Sequence, residues 1–425
     1  MKRRGSDTNE PAAADGPLKI CLLTYRGNPA CGGQGVYVSY LSRALAELGH
    51  EVDVLSGPPY PEVADGVRLH RLPGLDLYNP EHLFAVERFG DLASPLNLYE
   101  YLSMCSGGFP EPFTFGVRAR RYLRKNRGRY HIVHDNQCLS YGLLSAAFSG
   151  IPLVATIHHP ITVDRETDLR AAAGLLRRAL VHRWYSFIPM QKRVARRLSH
   201  IITVSVCSRH DISREFGIPP ERFHVVPNGI NTDFFHPLPD CTRPDDTLLV
   251  TNSADTPLKG LRYLLDAVAA IARQRRIRVV VVGEPKPGGE VERRVRELNL
   301  GGTVTFTGRI ANGEFARLYA RATIAVIPSL YEGFGMPAGE AMACGVPVIS
   351  TTGGALPEVV GDAGVLVPPA DTEALRRAIV ALLDDPVRRG QLARAGLARV
   401  AGALTWRHAA ERTVQVYRKA IDAHR

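Results

Sequence analysis

LKICLLTYRGNPACGGQGVYVSYLSRALAELGHEVDVLSG, residues Leu18 to Gly57, runs from an apolar stretch through a glycine loop and a helical pattern to a second apolar stretch. Leu18 to Tyr25 reads as a short strand, and the helix that follows stops at Gly49, where glycine suits a helix end. Glu51 to Leu55 reads as the next strand. Strand, crossover helix and strand make a βαβ unit, and such units build parallel sheets. The rhythm continues through HIVHD (His131 to Asp135), PLVATIHH (Pro152 to His159), HIITVS (His200 to Ser205) and FHVVPNGI (Phe223 to Ile230). Between them Tyr60 to Phe115 is rich in Pro, Gly and aromatics without a clear period, and it reads as an insertion lining a site.

Past Ile230 the pattern starts again. TLLVTNS, IRVVVVG, GTVTFTG, ATIAVIPS, VPVIST and AGVLVP alternate with helical stretches such as GLRYLLDAVAAIARQ. A chain of 425 residues also exceeds one ordinary core. The expected fold is therefore α/β, with two Rossmann-like, doubly wound parallel-sheet domains facing a central cleft, where ligands of such folds bind. The expected division is a disordered leader over 1–17, an N-terminal domain over 18–228 and a C-terminal domain over 229–405. A final helix, 406–425, is expected to pack back on the N-terminal domain.

Composition bounds the function. Seven scattered cysteines without a Cys-x-x-Cys pair fit reduced thiols rather than a disulfide or zinc framework. The polar start lacks the apolar core of a signal peptide, and no apolar run reaches the ~20 residues of a membrane span. A cytoplasmic protein is expected. Its net charge of +11 points to an anionic partner, with arginines concentrated in Arg118 to Arg129 and Arg170 to Leu198. A solvated helix face explains both stretches. In the second, Leu180, Val181, Trp184, Phe187 and Ile188 sit among the bases, the composition of a helix docked peripherally on the anionic inner face of the cell membrane. Nucleic acid fits neither stretch, because no stacking aromatics or recognised motif accompany them.

The chemistry concentrates in SLYEGFGMPAGEAMACGVPVIS, Ser329 to Ser350. A strand ends at Ser329, a glycine turn follows, and a helix is predicted to start near Met336 or Pro337. The helix start offers unpaired amides and a positive dipole end, and bare Gly333 and Gly335 allow close approach, which makes a seat for phosphate. Glu332 and Glu340 flank it, and carboxylates accept hydrogen bonds from sugar hydroxyls. A diphosphate between two sugars, a nucleotide-sugar, would satisfy both.

That segment, with GGALPEVVGDAGVLVPP after it, closely resembles the retaining glycosyltransferases of the GT4 family, which have the GT-B fold; the resemblance extends from Leu18 onward. It implies that Glu332 contacts the donor sugar, Glu340 the nucleotide ribose, and Phe334, Gly335 and Met336 the sugar and phosphate. Lys259, before a helix in TPLKGLRYLLDAV, matches the family's lysine, whose ammonium stabilises the departing diphosphate. Arg309 and Ile310 join the implied donor site. The family's usual Gly-Arg is replaced by NSAD, so either Arg262 or Arg309 supplies the second positive charge, or Asn252 and Ser253 supply neutral donors. In the N-terminal domain Gly32 and Gly33 match glycines that approach the diphosphate and acceptor, and His158 matches a histidine that reaches the donor sugar. Strand alternation lets only one of His158 and His159 point inward, and His158 is favoured. In HDNQ, Asn136 and Gln137 are acceptor-facing candidates. No Asp-x-Asp occurs, so no metal site is expected and Lys259 with the helix dipole takes the metal's place. No cofactor is expected, the nucleotide-sugar being a co-substrate. The partners are then that donor and a hydroxyl acceptor, lipid-linked or a small polyol or saccharide. A nucleotide-sugar epimerase of the same architecture and a non-catalytic sugar-nucleotide sensor are the rival readings.

Overall fold

The computed structural model describes residues 16–27, 33–79, 84, 86, 89–147, 150–239, 241, 243, 246–251, 256–308, 310 and 312–425. They form two compact units. One comprises the chain up to Thr203 with Arg209–Val226 and Ala409–Arg425; the other is Val204–Ser208 with Pro227–His408.

In the first unit β1 (Lys19–Thr24), β2 (Glu51–Ser56), β3 (Val67–Arg71), β4 (Ile132–Asn136), β5 (Leu153–Ile157), β6 (Ile201–Thr203) and β7 (Phe223–Val225) form one seven-stranded sheet. The order is β3-β2-β1-β4-β5-β6-β7 and every pairing is parallel. β4 and β5 are buried along their whole length, as helices on both faces of a parallel sheet require. Strand order reverses between β1 and β4, so the carboxyl ends of those strands open a crevice, where Asn136 meets Gln34.

The stretch Tyr60 to Phe115, read as an insertion, contains regular elements. It supplies edge strand β3 and the helices Pro95–Cys105 and the first turns of Glu111–Lys125. Arg120, Arg121 and Arg124 of the first basic stretch lie exposed on the helix Glu111–Lys125, as a solvated face would have them, but two other arginines are put to structural use. Arg118 forms a two-nitrogen pair with buried Glu100 (Nη1–Oε1 2.6 Å, Nη2–Oε2 3.0 Å), and Arg129 Nη2 lies 2.8 Å from buried Asp53. Neither is a free charge on a solvated face.

The last helix, Trp406–Asp422, begins in the second unit and ends in the first. Ala409, Ala410, Val416, Tyr417 and Ala420 are buried, and the Tyr417 hydroxyl is 2.6 Å from His134 Nδ1 on β4. Burying a side chain the size of Val416 contributes roughly 1.5–3 kcal/mol.

The second unit holds β8 (Thr247–Thr251), β9 (Arg278–Val282), β10 (Val304–Phe306), β11 (Ile324–Ile327), β12 (Val348–Thr351) and β13 (Gly364–Val367), again all parallel, in the order β10-β9-β8-β11-β12-β13. Its strand order reverses between β8 and β11. Everything after those two strands is therefore delivered to one sheet edge, and both Lys259 and Glu332 lie there.

Candidate functional site

Lys259 ends a single 3-10 turn, Pro257–Lys259, after β8, and Gly260 follows in the left-handed region at φ 66°. A Cβ on Gly260 would stand 2.0 Å from the carbonyl oxygen of Pro328, which ends the β11 loop. Only a residue without Cβ lets the two loops close, and the Leu330 N–H then donates to Leu258 O at 2.7 Å. The result is a fixed ion pair. Lys259 Nζ is 2.7 Å from Glu332 Oε1, and the Ser329 hydroxyl donates to the same oxygen at 2.7 Å. Both contacts fall on Oε1 of Glu332.

Beyond Glu332 the turn is braced from three directions. Ala355 N donates to Glu332 O at 2.8 Å. The hydroxyls of Ser205 and Ser208 donate to Gly333 O at 2.8 and 3.0 Å. Gly354 has φ 66°, and a Cβ on it would stand 2.2 Å from Glu332 O. Gly335, at φ 104°, caps the helix Met336–Ala343, and Leu356 fills the space where its Cβ would be. Phe334 is buried, whereas Met336 is half-buried at the helix start. The helix therefore begins directly beside Glu332, with Pro337 carrying no N–H and Ala338 N donating to Gly335 O at 3.1 Å.

Glu340 sits one turn into this helix. The hydroxyl of buried Tyr319 donates to its Oε2 at 3.2 Å. Loss of hydration pushes the carboxyl up to about 7, against the opposing pull of the Tyr319 hydroxyl and the Lys259 charge. Lys259 thus acts electrostatically on both glutamates. Ile310 lies half-buried between β10 and the helix Asn312–Arg321. Arg262 is on the exposed side of the helix Leu261–Ala272, 3.5 Å from Glu290. Asn252, Ser253 and Arg309 lie outside the described residues, as does Gly32.

In the first unit His158, Asn136 and Gln137 converge. Asn136 Nδ2 donates to Gln34 O at 3.0 Å, which fixes its Oδ1 as an acceptor for His158 Nε2–H at 2.8 Å. The His158 backbone N–H donates to Gln137 Oε1 at 2.8 Å, and its ring packs edge-on against Tyr37 with centroids 4.7 Å apart. Burial pushes the imidazole down to about 3, so it is a neutral ring with Nδ1 unprotonated. His159 turns the other way and meets Asp164, Nε2–Oδ2 2.7 Å. Both histidines follow the end of β5 and take different partners. His134 is fully occupied inside the unit by Tyr417 and Thr156. Gly33 opens the helix Gly33–Glu47, is exposed, and has no atom within 4 Å of a would-be Cβ. Among the described residues no group of three or more His, Cys, Asp or Glu side chains could hold a metal ion.

Sequence reasoning weighed Lys259 but passed over Gly260 and Gly353-Gly354, whose lack of side chains lets the loops meet. The signal was present in each case, a glycine just past a strand or turn, but its partner loop is distant in sequence.

The chain is similar to known proteins in sequence and in fold. Residues 31–234 match the family described as Glycosyltransferase Family 4, and residues 245–385 match Glycosyl transferases group 1. The chain is 47% identical to the MMP α-(1→4)-mannosyltransferase of Mycolicibacterium hassiacum, over 95% of this chain and 98% of that one. It superposes on sucrose-phosphate synthase from Thermosynechococcus elongatus with a TM-score of 0.70 and 26% identity, covering 96% of this chain and 100% of that one. Anabaena HepE, solved with UDP and glucose, shares the fold at a TM-score of 0.65 and 18% identity, over 94% of this chain and 98% of that one.

Proposed function

This chain belongs to glycosyltransferase family 4, with the GT-B fold, and from that premise we propose that it is a retaining mannosyltransferase using a nucleotide-diphosphate-mannose donor and a sugar hydroxyl as acceptor. The observation that carries the donor assignment is the Lys259–Glu332 pair at the start of the helix Met336–Ala343. The diphosphate rests on the helix start, where amides and dipole favour an anion. Glu332 Oε2 accepts from a sugar hydroxyl and Glu340 from the ribose. Lys259 stabilises the negative charge that builds on the diphosphate as the glycosidic bond breaks, a contribution larger in the transition state than in the ground state. His158, neutral and held by Asn136, offers the donor sugar a hydrogen-bond acceptor rather than a second cation. Transfer then proceeds on the face the diphosphate leaves, the departing phosphate taking the acceptor proton.

The test is direct. Incubation with GDP-mannose and an α-(1→4)-mannobiose acceptor in EDTA should give a trisaccharide whose new linkage is α. No product with any nucleotide-diphosphate hexose, or product only after magnesium is restored, would overturn the reading. A changed sugar with donor alone would favour an epimerase, and binding without any product would favour a sensor.

A pH dependence follows from Glu340. Its folded-state carboxyl, near 7, lies above the ordinary 4.5, so it carries a proton through the interval between. The stability this proton gives is complete below 4.5 and is lost as pH rises through 7. Nucleotide binding works in the opposite sense, because ribose hydroxyls bind the carboxylate and expel the proton. Affinity should rise with pH, by at most about tenfold per unit, and level off above 7. Calorimetry at pH 6 in two buffers of different ionisation enthalpy should show proton release for the natural chain and none for Glu340→Gln. Equal profiles for both would remove Glu340 from the nucleotide site.

We also propose cytoplasmic action at the surface of an anionic membrane, through the helix Leu175–Trp184. It buries no residue, exposes Leu175, Leu176 and Leu180, and carries Arg177 and Arg178 among them. No described helix is long and apolar enough to cross a membrane. Equal cosedimentation with anionic and neutral vesicles would count against such docking.

A further inference from the structure

Two serines of the second unit grip one carbonyl of the turn after Glu332. Ser205 and Ser208 are buried, and both hydroxyls donate to Gly333 O, at 2.8 and 3.0 Å. The preceding carbonyl, Glu332 O, accepts from Ala355 N at 2.8 Å. A trans peptide group is planar, so its N–H points opposite to its C=O. Fixing Gly333 O on the serines therefore aims the Phe334 N–H away from them.

The serines are themselves fixed. Ser205 precedes the helix Val206–Phe216 and Ser208 lies in its first turn. Ser205 Oγ accepts from Ser208 N at 2.9 Å, the bond of an N-cap. The first two amides of the helix, Val206 N and Cys207 N, donate to the two oxygens of Glu358 at 2.7 and 2.8 Å. A carboxylate there also meets the positive end of the helix dipole. Glu358 is on the helix Leu356–Val360, and its own N–H donates to Ala355 O at 2.9 Å. Arg399 braces that helix, its Nη2 donating to Glu358 O at 2.7 Å and its Nε to Val359 O at 2.6 Å. The contacts close a ring, from Glu332 through Ala355 and Glu358 to the helix start, and through the serines back to Gly333.

Capping alone asks for less. On the helix Thr372–Asp384 a single oxygen of Asp371, accepting from Ala374 N at 2.8 Å, does that work. Two hydroxyls converging on one carbonyl, behind a carboxylate that spans two amides, set the plane of a particular peptide. We propose that Ser205, Ser208 and Glu358 are positioning residues for sugar transfer. They hold the Gly333–Phe334 peptide so that its N–H faces the diphosphate of the donor as negative charge builds there. The proposal rests on the nucleotide-sugar reading for the identity of that anion.

Gly-Phe occurs twice in the chain, at Gly108-Phe109 and Gly333-Phe334. The full chain labelled with carbonyl-¹³C glycine and ¹⁵N phenylalanine therefore gives one carbonyl–nitrogen NMR correlation for each. Without nucleotide, the double variant Ser205→Ala/Ser208→Ala should shift the Phe334 correlation and leave that of Phe109. Glu358→Gln, which keeps one acceptor oxygen, should shift it less. GDP should move the Phe334 correlation of the natural chain. Turnover of GDP-mannose should fall about 10- to 100-fold in the double variant, with the loss in kcat. Asp371→Ala, which removes a cap elsewhere in the same unit, should lower the unfolding midpoint without slowing turnover. A Phe334 correlation unmoved by the double variant and by Glu358→Gln, or natural turnover in the double variant, overturns the proposal. So does equal slowing by Asp371→Ala, which would make the loss one of stability alone. If the variants shift the correlation but neither GDP nor UDP moves it in the natural chain, the donor reading itself fails, together with the role given to this peptide. If GDP moves it and the variants turn over normally, the positioning role fails alone.

Discussion

Replacing Lys259 by alanine is expected to slow turnover by about 10²–10³-fold, some 2.7–4 kcal/mol of barrier, the scale of losing one preorganised charge partner of a transition state. The loss should fall on kcat more than on donor affinity, because the charge it meets develops only as the bond to the diphosphate breaks. Lys259 is 26% exposed and Glu332 keeps the Ser329 hydroxyl on the same oxygen, so the fold should survive the change. Glu332→Gln should cost a similar factor. The double variant should be little worse than either alone, since both remove one 2.7 Å pair that acts as a unit. Single-turnover rates under saturating donor decide it. Near-natural rates for Lys259→Ala would take the lysine out of the mechanism.

The second large effect belongs to a residue with no chemistry of its own. Gly260→Ala should destabilise the second unit by about 2–4 kcal/mol and abolish most turnover. Two costs add. An alanine held at φ 66° pays about 1–2 kcal/mol for the left-handed conformation, and its Cβ would press to 2.0 Å on the Pro328 carbonyl oxygen, a backbone atom that cannot swing aside. Relief requires the β8 and β11 loops to part, which separates Lys259 from Glu332. Gly33→Ala is the matched control, since nothing lies within 4 Å of its Cβ. It should leave the unfolding midpoint within about 0.5 kcal/mol of the natural chain. Urea unfolding of both variants gives the comparison, and equal midpoints would refute the steric account.

The architecture was legible because parallel strands buried on both faces leave unbroken apolar runs, as in RVVVV of β9 and IAVI of β11. β3 escaped notice for the opposite reason. VRLHR is an edge strand, half-covered, with charged residues where a central strand would be apolar, and Arg68 and His70 are there to grip Asp53. The donor side of the site was readable for a similar reason: two acids around a glycine turn have few uses in an apolar segment. What closes the site was not. Gly260 and Gly354 matter through backbone atoms of Pro328 and Glu332, on other loops, and no local pattern records such contacts. The second basic stretch divides in a way its composition does not show: of the apolar residues among the bases, Phe187 and Ile188 pack inward while Leu180 stays exposed.

The last helix bears on how this chain comes off the ribosome. Seventeen residues at the very end, Ala409 to Arg425, belong to the body that the first two hundred residues begin. Tyr417 can close over His134 only once the residues of the second body between them have been synthesised. The early body must therefore wait, incomplete, while the later one is synthesised and folds ahead of it. A stop codon near Leu404 would leave the later body its full sheet and strip the earlier one of its seal.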